Sequence, residues 1–384
     1  FLGWISLATD AAGEAIYSLL PFFLTQVLGA TALSLGIIEG AAEAANSLLK
    51  IVSGRIADRS RGKRWLVLLG YTVSSAARPF IAITTRWTQV FTVRVLDRVG
   101  KGVRGAPRDA MLAGWATPTT RGKIYGFHQG MDNLGAVIGP VLATIFLIFY
   151  PGRYRTLFAL TAIPGAIAVA LIFFLPDDGT GPKSDPAPSP QAPAPGGALP
   201  RRFHLFMGVL ALFALGNSTD AFLLLRLTDA AGSARFVPLM WAGLHVVKTT
   251  VSLVGGSWSD RIGRRAVIAT GWLVYAVVYA GFAYSESLVA LLAWFLVYGF
   301  YYGFAEGTEK ALVADLAPAA RRGTAFGIYN AVVGLGALTA SIVFGAIWKT
   351  YGAPAAFGAG ATLALVATML LFAAIPSHVT DAAV

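Results

Sequence analysis

The sequence predicts an all-α polytopic membrane protein, with twelve transmembrane helices in two pseudo-symmetric six-helix bundles. Three observations carry that expectation. Of 384 residues, 56% are hydrophobic and 13% are charged, about half the charge of an ordinary soluble domain. Twelve apolar segments are long enough to cross a bilayer. Motifs of the first half also return in the second: Gly54, Asp58 and Arg59 as Gly256, Asp260 and Arg261; Arg121, Gly122 and Gly126 as Arg322, Gly323 and Gly327; Gly135 as Gly336. The offset is about 201 residues throughout, and parallel repeats of this kind place a site near the bilayer midplane, between the halves.

The segments run over 2–28, 33–54, 64–85, 88–113, 123–149, 154–175, 204–228, 235–257, 265–284, 288–313, 323–348 and 354–375. Residues 177–202 interrupt them. This stretch is rich in Pro, Ala, Gly and Ser and has no apolar face, so it reads as a cytoplasmic linker. It divides the chain into an N-terminal bundle, 1–176, and a C-terminal bundle, 203–384. No n-region or cleavage site marks a signal peptide ahead of the first apolar helix, and a short polar leader is expected before Phe1.

Basic residues set the orientation. With the N-terminus inside, fifteen Lys and Arg fall in cytoplasmic loops and five in the opposite ones, which puts both termini in the cytoplasm. The net charge of +11 follows from those loops, and no soluble domain is present to hold a nucleic acid. There is no cysteine, and His128, His204, His245 and His378 form no cluster or HExxH motif. This excludes disulfides and thiolate metal sites and argues against an intramembrane metalloprotease. No cofactor is expected. Without a Walker A lysine motif, ATP is not the energy source within this chain.

The fourth segment is unusual. From Arg94 to Asp109 it carries Arg94, Asp97, Arg98, Lys101, Arg104, Arg108 and Asp109. At 100° per residue these seven groups share an arc of roughly 140°. A lipid-facing charge costs about 2.5–3.5 kcal/mol at mid-bilayer. The stripe therefore faces water or protein, which points to transport.

The loop after the second segment of each half reads Gly54, Asp58, Arg59, Gly62, Lys63, Arg64 and Gly256, Asp260, Arg261, Gly263, Arg264, Arg265. Two copies of this G-x-x-x-D-R-x-G-R-R pattern, the first with one extra residue, resemble the major facilitator superfamily (MFS) across essentially the whole chain. Arg98 and Gly102 match the family's fourth-helix pattern. Gly135, Gly139 and Pro140 match its fifth-helix pattern, which in the family accompanies antiporters and exporters, although the glycine pair that usually follows the proline is absent here. The residues alone read as close helix packing with a kink at Pro140. The resemblance implies that helices 1, 4, 7 and 10 line a central cavity, that Asp58 and Asp260 act as gates, and that the protein works as a monomer.

Those four segments hold most of the intramembrane charge. Asp10 and Glu14 stand one turn apart on the first, with Tyr17 on the same face. The fourth adds Arg94, Asp97, Arg98 and Lys101, the seventh Asn217 and Asp220, and the tenth Tyr298, Tyr301, Tyr302, Glu306, Glu309 and Lys310. Adjacent carboxylates such as Asp10 and Glu14 suit proton exchange, as do Asp220 and Glu306. His128 and Asp132 on the fifth segment are further coupling candidates. Glu39, Glu43, Arg78, His245 and Lys248 rank behind them.

The expected function is proton-coupled antiport, exporting a small polar or charged organic solute by alternating access across a bacterial inner membrane. Three alternatives stay open: efflux of a divalent cation on Asp10, Glu14 and Asp220; proton-coupled uptake; and a receptor or scaffold. The expected partners are the solute or ion, protons and the lipid bilayer.

Overall fold

The computed structural model describes residues 1–59, 63–115, 121–175, 199–318 and 321–374, and every regular element among them is helical. In chain order the helices are α1 (Leu2–Tyr17), α2 (Leu20–Phe22), α3 (Ala32–Arg59), α4 (Lys63–Ala77), α5 (Trp87–Trp115), α6 (Arg121–Phe149), α7 (Tyr154–Leu160), α8 (Ala162–Ile172), α9 (Arg201–Gly216), α10 (Ala221–Ala231), α11 (Val237–Ile262), α12 (Arg264–Tyr284), α13 (Leu288–Leu316), α14 (Arg322–Tyr351) and α15 (Ala353–Ala374). A π-helical turn, Phe23–Val27, extends α2 after Pro21, and a 3-10 turn, Arg78–Ile83, extends α4.

These elements reproduce the twelve expected segments, with α1–α2, α7–α8 and α9–α10 each making up one. By length and composition, eight spans among the described residues are able to cross a membrane. α5 is not one of them, since its charged stripe lowers its hydropathy.

The chain packs into two compact units. The first contains α1 to α8 together with Gly232–Ala242, and the second contains α9, α10 and the chain from Gly243 onward. In the first unit α1 packs on α6 and α8, and α4 on α5 and α8. The same pairings recur in the second: α9 on α14 and α15, and α12 on α13 and α15. The repeat is visible at single contacts too. A Cβ on Gly70 would lie 2.6 Å from the Arg104 Cβ, and one on Gly271 would lie 3.2 Å from the Ala305 Cβ. Both positions in that pair shift by the same 201 residues. Backbone-close crossings suit a bilayer, where small residues let helices approach when no hydrophobic force drives them together. In the first unit Gly135 and Gly139 perform this for α6 against α1. A Cβ on Gly135 would meet the Leu7 carbonyl at 2.6 Å, and one on Gly139 would overlap the Ala11 carbonyl.

A buried ionic chain ties α5 to its neighbours. Arg94 donates two hydrogen bonds to Glu39 of α3, at 2.9 and 2.8 Å. Its remaining nitrogen reaches Asp97 Oδ2 at 3.4 Å. Asp97 Oδ1 accepts from Arg78 Nε at 2.9 Å, and Arg78 Nη1 donates to the Thr9 carbonyl of α1 at 2.6 Å. All four side chains are buried, with Asp97 only 1% exposed. Helices α1, α3, α5 and the end of α4 are thus joined by alternating charges, each with a partner, the condition under which ions are tolerated away from water.

Two predictions follow from this packing. Asp97→Asn leaves Arg78 without its carboxylate and lowers stability by about 3–5 kcal/mol in unfolding of the detergent-solubilised protein, while the double change Arg78→Leu, Asp97→Leu costs less than Asp97→Asn alone. Gly139→Val forces α6 away from Ala11 and costs about 1–3 kcal/mol in the same measurement; a melting temperature equal to that of the unaltered protein would remove the close-packing role assigned to Gly139.

Candidate functional site

The groups of the α5 stripe separate into two kinds. Arg94 and Asp97 are occupied in the ionic chain. Arg104 is also buried: it donates to Ser74 Oγ at 3.0 Å and lies 4.3 Å above the Tyr71 ring. Arg108 pairs with Asp109 at 2.9 Å and stands 3.9 Å from Asp132. The other two, Arg98 and Lys101, are half-buried and make no hydrogen bond or ion pair to any described residue. The acids within electrostatic reach are Asp97, Glu39, Glu43 and Glu14 for Arg98, and Asp10 and Glu14 for Lys101. Asp10 is likewise half-buried. Glu14 Oε2 accepts from the Trp241 indole nitrogen at 2.9 Å, and Tyr17 packs on the same indole at 5.1 Å; Trp241 lies within Gly232–Ala242, the segment that packs with this unit. Asp10, Glu14, Arg98 and Lys101 therefore form a polar face whose cations lack direct partners among the described residues.

One turn before Asp10 on α1, Ser6 Oγ lies 3.1 Å from His128 Nε2, and His128 Nδ1 lies 3.5 Å from Asp132. Ser6 also meets the Tyr71 hydroxyl at 3.2 Å. His128 and Asp132 are thus brought together with Arg108 around Ser6, one turn before Asp10 on α1 and within its electrostatic reach.

In the second unit the expected seventh segment is broken. α9 stops at Gly216 and α10 starts at Ala221, with Asn217 at φ −92°, ψ 83°. Side chains of α12, α13 and α14 take up the freed groups. Tyr275 donates to the Gly216 carbonyl at 2.8 Å, Asn217 Nδ2 donates to the Tyr301 hydroxyl at 2.9 Å, Ser218 meets the Tyr279 hydroxyl at 3.2 Å, and the Thr219 amide donates to Ser341 Oγ at 3.3 Å. Non-helical backbone at membrane depth persists only where protein or a polar cavity satisfies it. Asp220 sits at the restart of the helix and accepts from Tyr298 at 2.8 Å and Tyr302 at 2.6 Å. Lys248 places its ammonium 3.8 Å from the Tyr302 ring centroid and 3.7 Å from Glu306. Glu306 and Lys310 are half-exposed and pair at 3.2 Å. Glu309 is buried, and accepts from Trp272 at 2.8 Å and Tyr329 at 3.1 Å.

Sequence reasoning missed the break and the aromatic wall of Tyr275, Tyr279, Trp272 and Tyr329. The run Asn217-Ser218-Thr219-Asp220 is a capping and turn signal and marks the break. The wall had no local signal. Glu39 and Arg78, ranked second, turn out to be direct partners of Arg94 and Asp97.

Of the loop motif, Gly62 lies outside the described residues. So do the side chains of Asp58, Arg59, Asp260 and Arg261, whose backbone is helical. Gly263 adopts φ +90° in the turn between α11 and α12, a conformation that favours glycine. Arg64 donates to the Phe173 carbonyl at 2.8 Å, and Arg264 pairs with Asp315 at 3.2 Å. Lys63 opens α4 and Arg265 lies at the start of α12. Pro140 lies inside α6. Among the described residues no group of three or more His, Cys, Asp or Glu is placed to hold a metal ion.

Comparison with known proteins agrees with this architecture. The sequence matches the profile described as Major Facilitator Superfamily over residues 2–246 and 205–383. It is 31% identical over 379 residues to an uncharacterized MFS-type transporter of Methanocaldococcus jannaschii, covering 96% of this chain and 93% of the relative. It is 25% identical to the multidrug resistance protein MdtH of Cronobacter sakazakii, covering 81% and 77%. The fold superposes on the nucleoside transporter NupG with a TM-score of 0.80 at 16% identity, covering 98% of this chain and 99% of that one. With two six-segment repeats, a charged face inside the first and a broken, tyrosine-bound helix in the second, the chain belongs to the Major Facilitator Superfamily and is a transporter rather than an enzyme.

Proposed function

We propose that this transporter exports a small polar or charged organic solute by proton antiport and alternating access. It works as a monomer in a bacterial inner membrane, with both termini in the cytoplasm. The observation that carries this reading is the face of Asp10, Glu14, Arg98 and Lys101. Two half-buried cations without direct partners among the described residues, opposite two acids, are costly in a purely structural element. They suit a solute bearing charge, which completes the pairing when it binds. In the second unit Asp220, bound by the Tyr298 and Tyr302 hydroxyls beside the helix break, is a further half-buried acid. The direction of transport draws support from the MdtH relative, a multidrug resistance protein.

Export of a divalent cation on Asp10, Glu14 and Asp220 is less well supported, since these acids do not form a metal-sized group among the described residues. Hard cations call for several converging oxygen ligands.

The test is flux in proteoliposomes under an imposed pH gradient, screened over nucleosides, amino acids, organic acids, amines, drugs and divalent metals. We expect gradient-driven movement of an organic solute that an uncoupler abolishes. Arg98→Gln lowers that flux by about tenfold or more with the melting temperature preserved. Flux that survives single neutralisation of Asp10, Glu14, Asp220, Glu306 and Glu309 would end the proton-coupling scheme, and metal-only transport would replace the organic solute.

A further inference from the structure

The repeat offers a comparison that isolates one group. Tyr71, Arg108 and His128 in the first unit have counterparts 201 residues on, Trp272, Glu309 and Tyr329. In the first unit Ser6 bridges Tyr71 and His128, and Arg108 stands beside it at 3.5 Å. An arginine at that position keeps its proton under all working conditions. In the second unit the same position holds a carboxylic acid, 5% exposed. Its direct partners are both neutral. Trp272 Nε1 donates to Oε1 at 2.8 Å and Tyr329 donates to Oε2 at 3.1 Å, and no cation among the described residues lies within ion-pair distance of it. The charged groups nearby are Glu306 and Lys310 on its own helix. Tyr301 of α13 is a further titratable neighbour of Glu309, and in turn neighbours Asp220 at the helix break.

We propose that Glu309 is the proton-carrying group of the second unit, and that its charge state acts on the 217–220 break through Trp272. The proposal rests on the proton-coupled reading above and assigns it a residue. The two donors differ in a way that suits the role. An indole N–H only donates, so Oε1 remains an acceptor in either state. A tyrosine hydroxyl donates or accepts, so Tyr329 turns to accept when a proton from hydronium settles on Oε2. The new O–H forms as an O–H of hydronium breaks and a water molecule leaves, and the carboxylate becomes a neutral acid. The Trp272 hydrogen bond then loses its charge assistance. Trp272 is stacked on Phe213 at 4.4 Å with the planes 6° apart. Phe213 lies on α9, four residues before Asn217, and also packs on Tyr301, which accepts from Asn217. The carboxyl group is therefore linked through Trp272 and Phe213 to the end of α9, and through Phe213 and Tyr301 to Asn217 at the start of the break.

The experiment is infrared titration of the purified protein in lipid, with no substrate, from about pH 5 to about pH 9, a range that spans perturbed carboxyl groups. We expect the carbonyl stretch of a protonated carboxyl to appear as pH falls. It is lost in Glu309→Gln and shows a displaced midpoint in Trp272→Phe, which keeps the acid and removes one donor. In proteoliposomes Glu309→Gln lowers gradient-driven flux about tenfold while solute exchange without a gradient persists. A band that is the same in Glu309→Gln and the unaltered protein overturns the proposal, as does undiminished gradient-driven flux in that variant. If Glu309→Gln does not fold, an unmoved midpoint in Trp272→Phe overturns it. A band that behaves as expected, in a protein whose flux ignores the pH gradient, sinks the antiport reading and leaves the protonation site standing.

Discussion

Everything in the first unit depends on pairing charge inside a bilayer. Arg94, Asp97, Arg78 and Glu39 come from three separate spans, and each would be prohibitive alone at mid-membrane. Linked as Glu39–Arg94–Asp97–Arg78, with the Thr9 carbonyl closing one end, they become a cross-brace that orients α5. The orientation of α5 then decides which of its remaining charges stay available. With Arg94 and Asp97 anchored, Lys101 lies within reach of Asp10 and Glu14 of α1, and Arg98 within reach of Glu39, Glu43 and Glu14.

The second unit meets the same geometric demand with different chemistry. At the positions 201 residues on, Arg78 becomes Tyr279, Asp97 becomes Tyr298, Arg94 becomes Phe295 and Ser74 becomes Tyr275. Where the first unit has ion pairs, the second has stacked rings: Tyr275 on Tyr279 at 4.0 Å and Tyr298 on Tyr301 at 5.5 Å. The tyrosine hydroxyls do what guanidinium groups do in the other half, reaching the Gly216 carbonyl and the Asp220 carboxylate. One architecture thus carries an electrostatic half and an aromatic half.

The break between α9 and α10 belongs to this second solution. Interrupting a membrane helix exposes backbone groups, each costing several kcal/mol if unsatisfied in lipid. Here Tyr275 bonds the Gly216 carbonyl and Ser341 the Thr219 amide, while Tyr279 and Tyr301 bond the Ser218 and Asn217 side chains. The aromatic wall is therefore a condition for the break as well as a surface beside it, and Asp220 owes its position to both.

Much was legible in the sequence alone. Hydropathy determined that the chain crosses a membrane, because twelve apolar runs of bilayer length have no other stable environment. The recurrence of Gly54, Asp58 and Arg59 as Gly256, Asp260 and Arg261 determined the two-fold plan, and the period of the α-helix put the seven groups from Arg94 to Asp109 on one face. Tertiary structure alone decided which of those seven are consumed by the fold and which face an acid at a distance. Periodicity gives a direction around one helix axis; pairing depends on what another helix brings to within about 3 Å. Glu39 and Arg78 lie 55 and 19 residues from their partners, and no local pattern encodes that meeting. For the same reason Glu309 looked like any other acid of its helix until Trp272 and Tyr329 were seen to close around it.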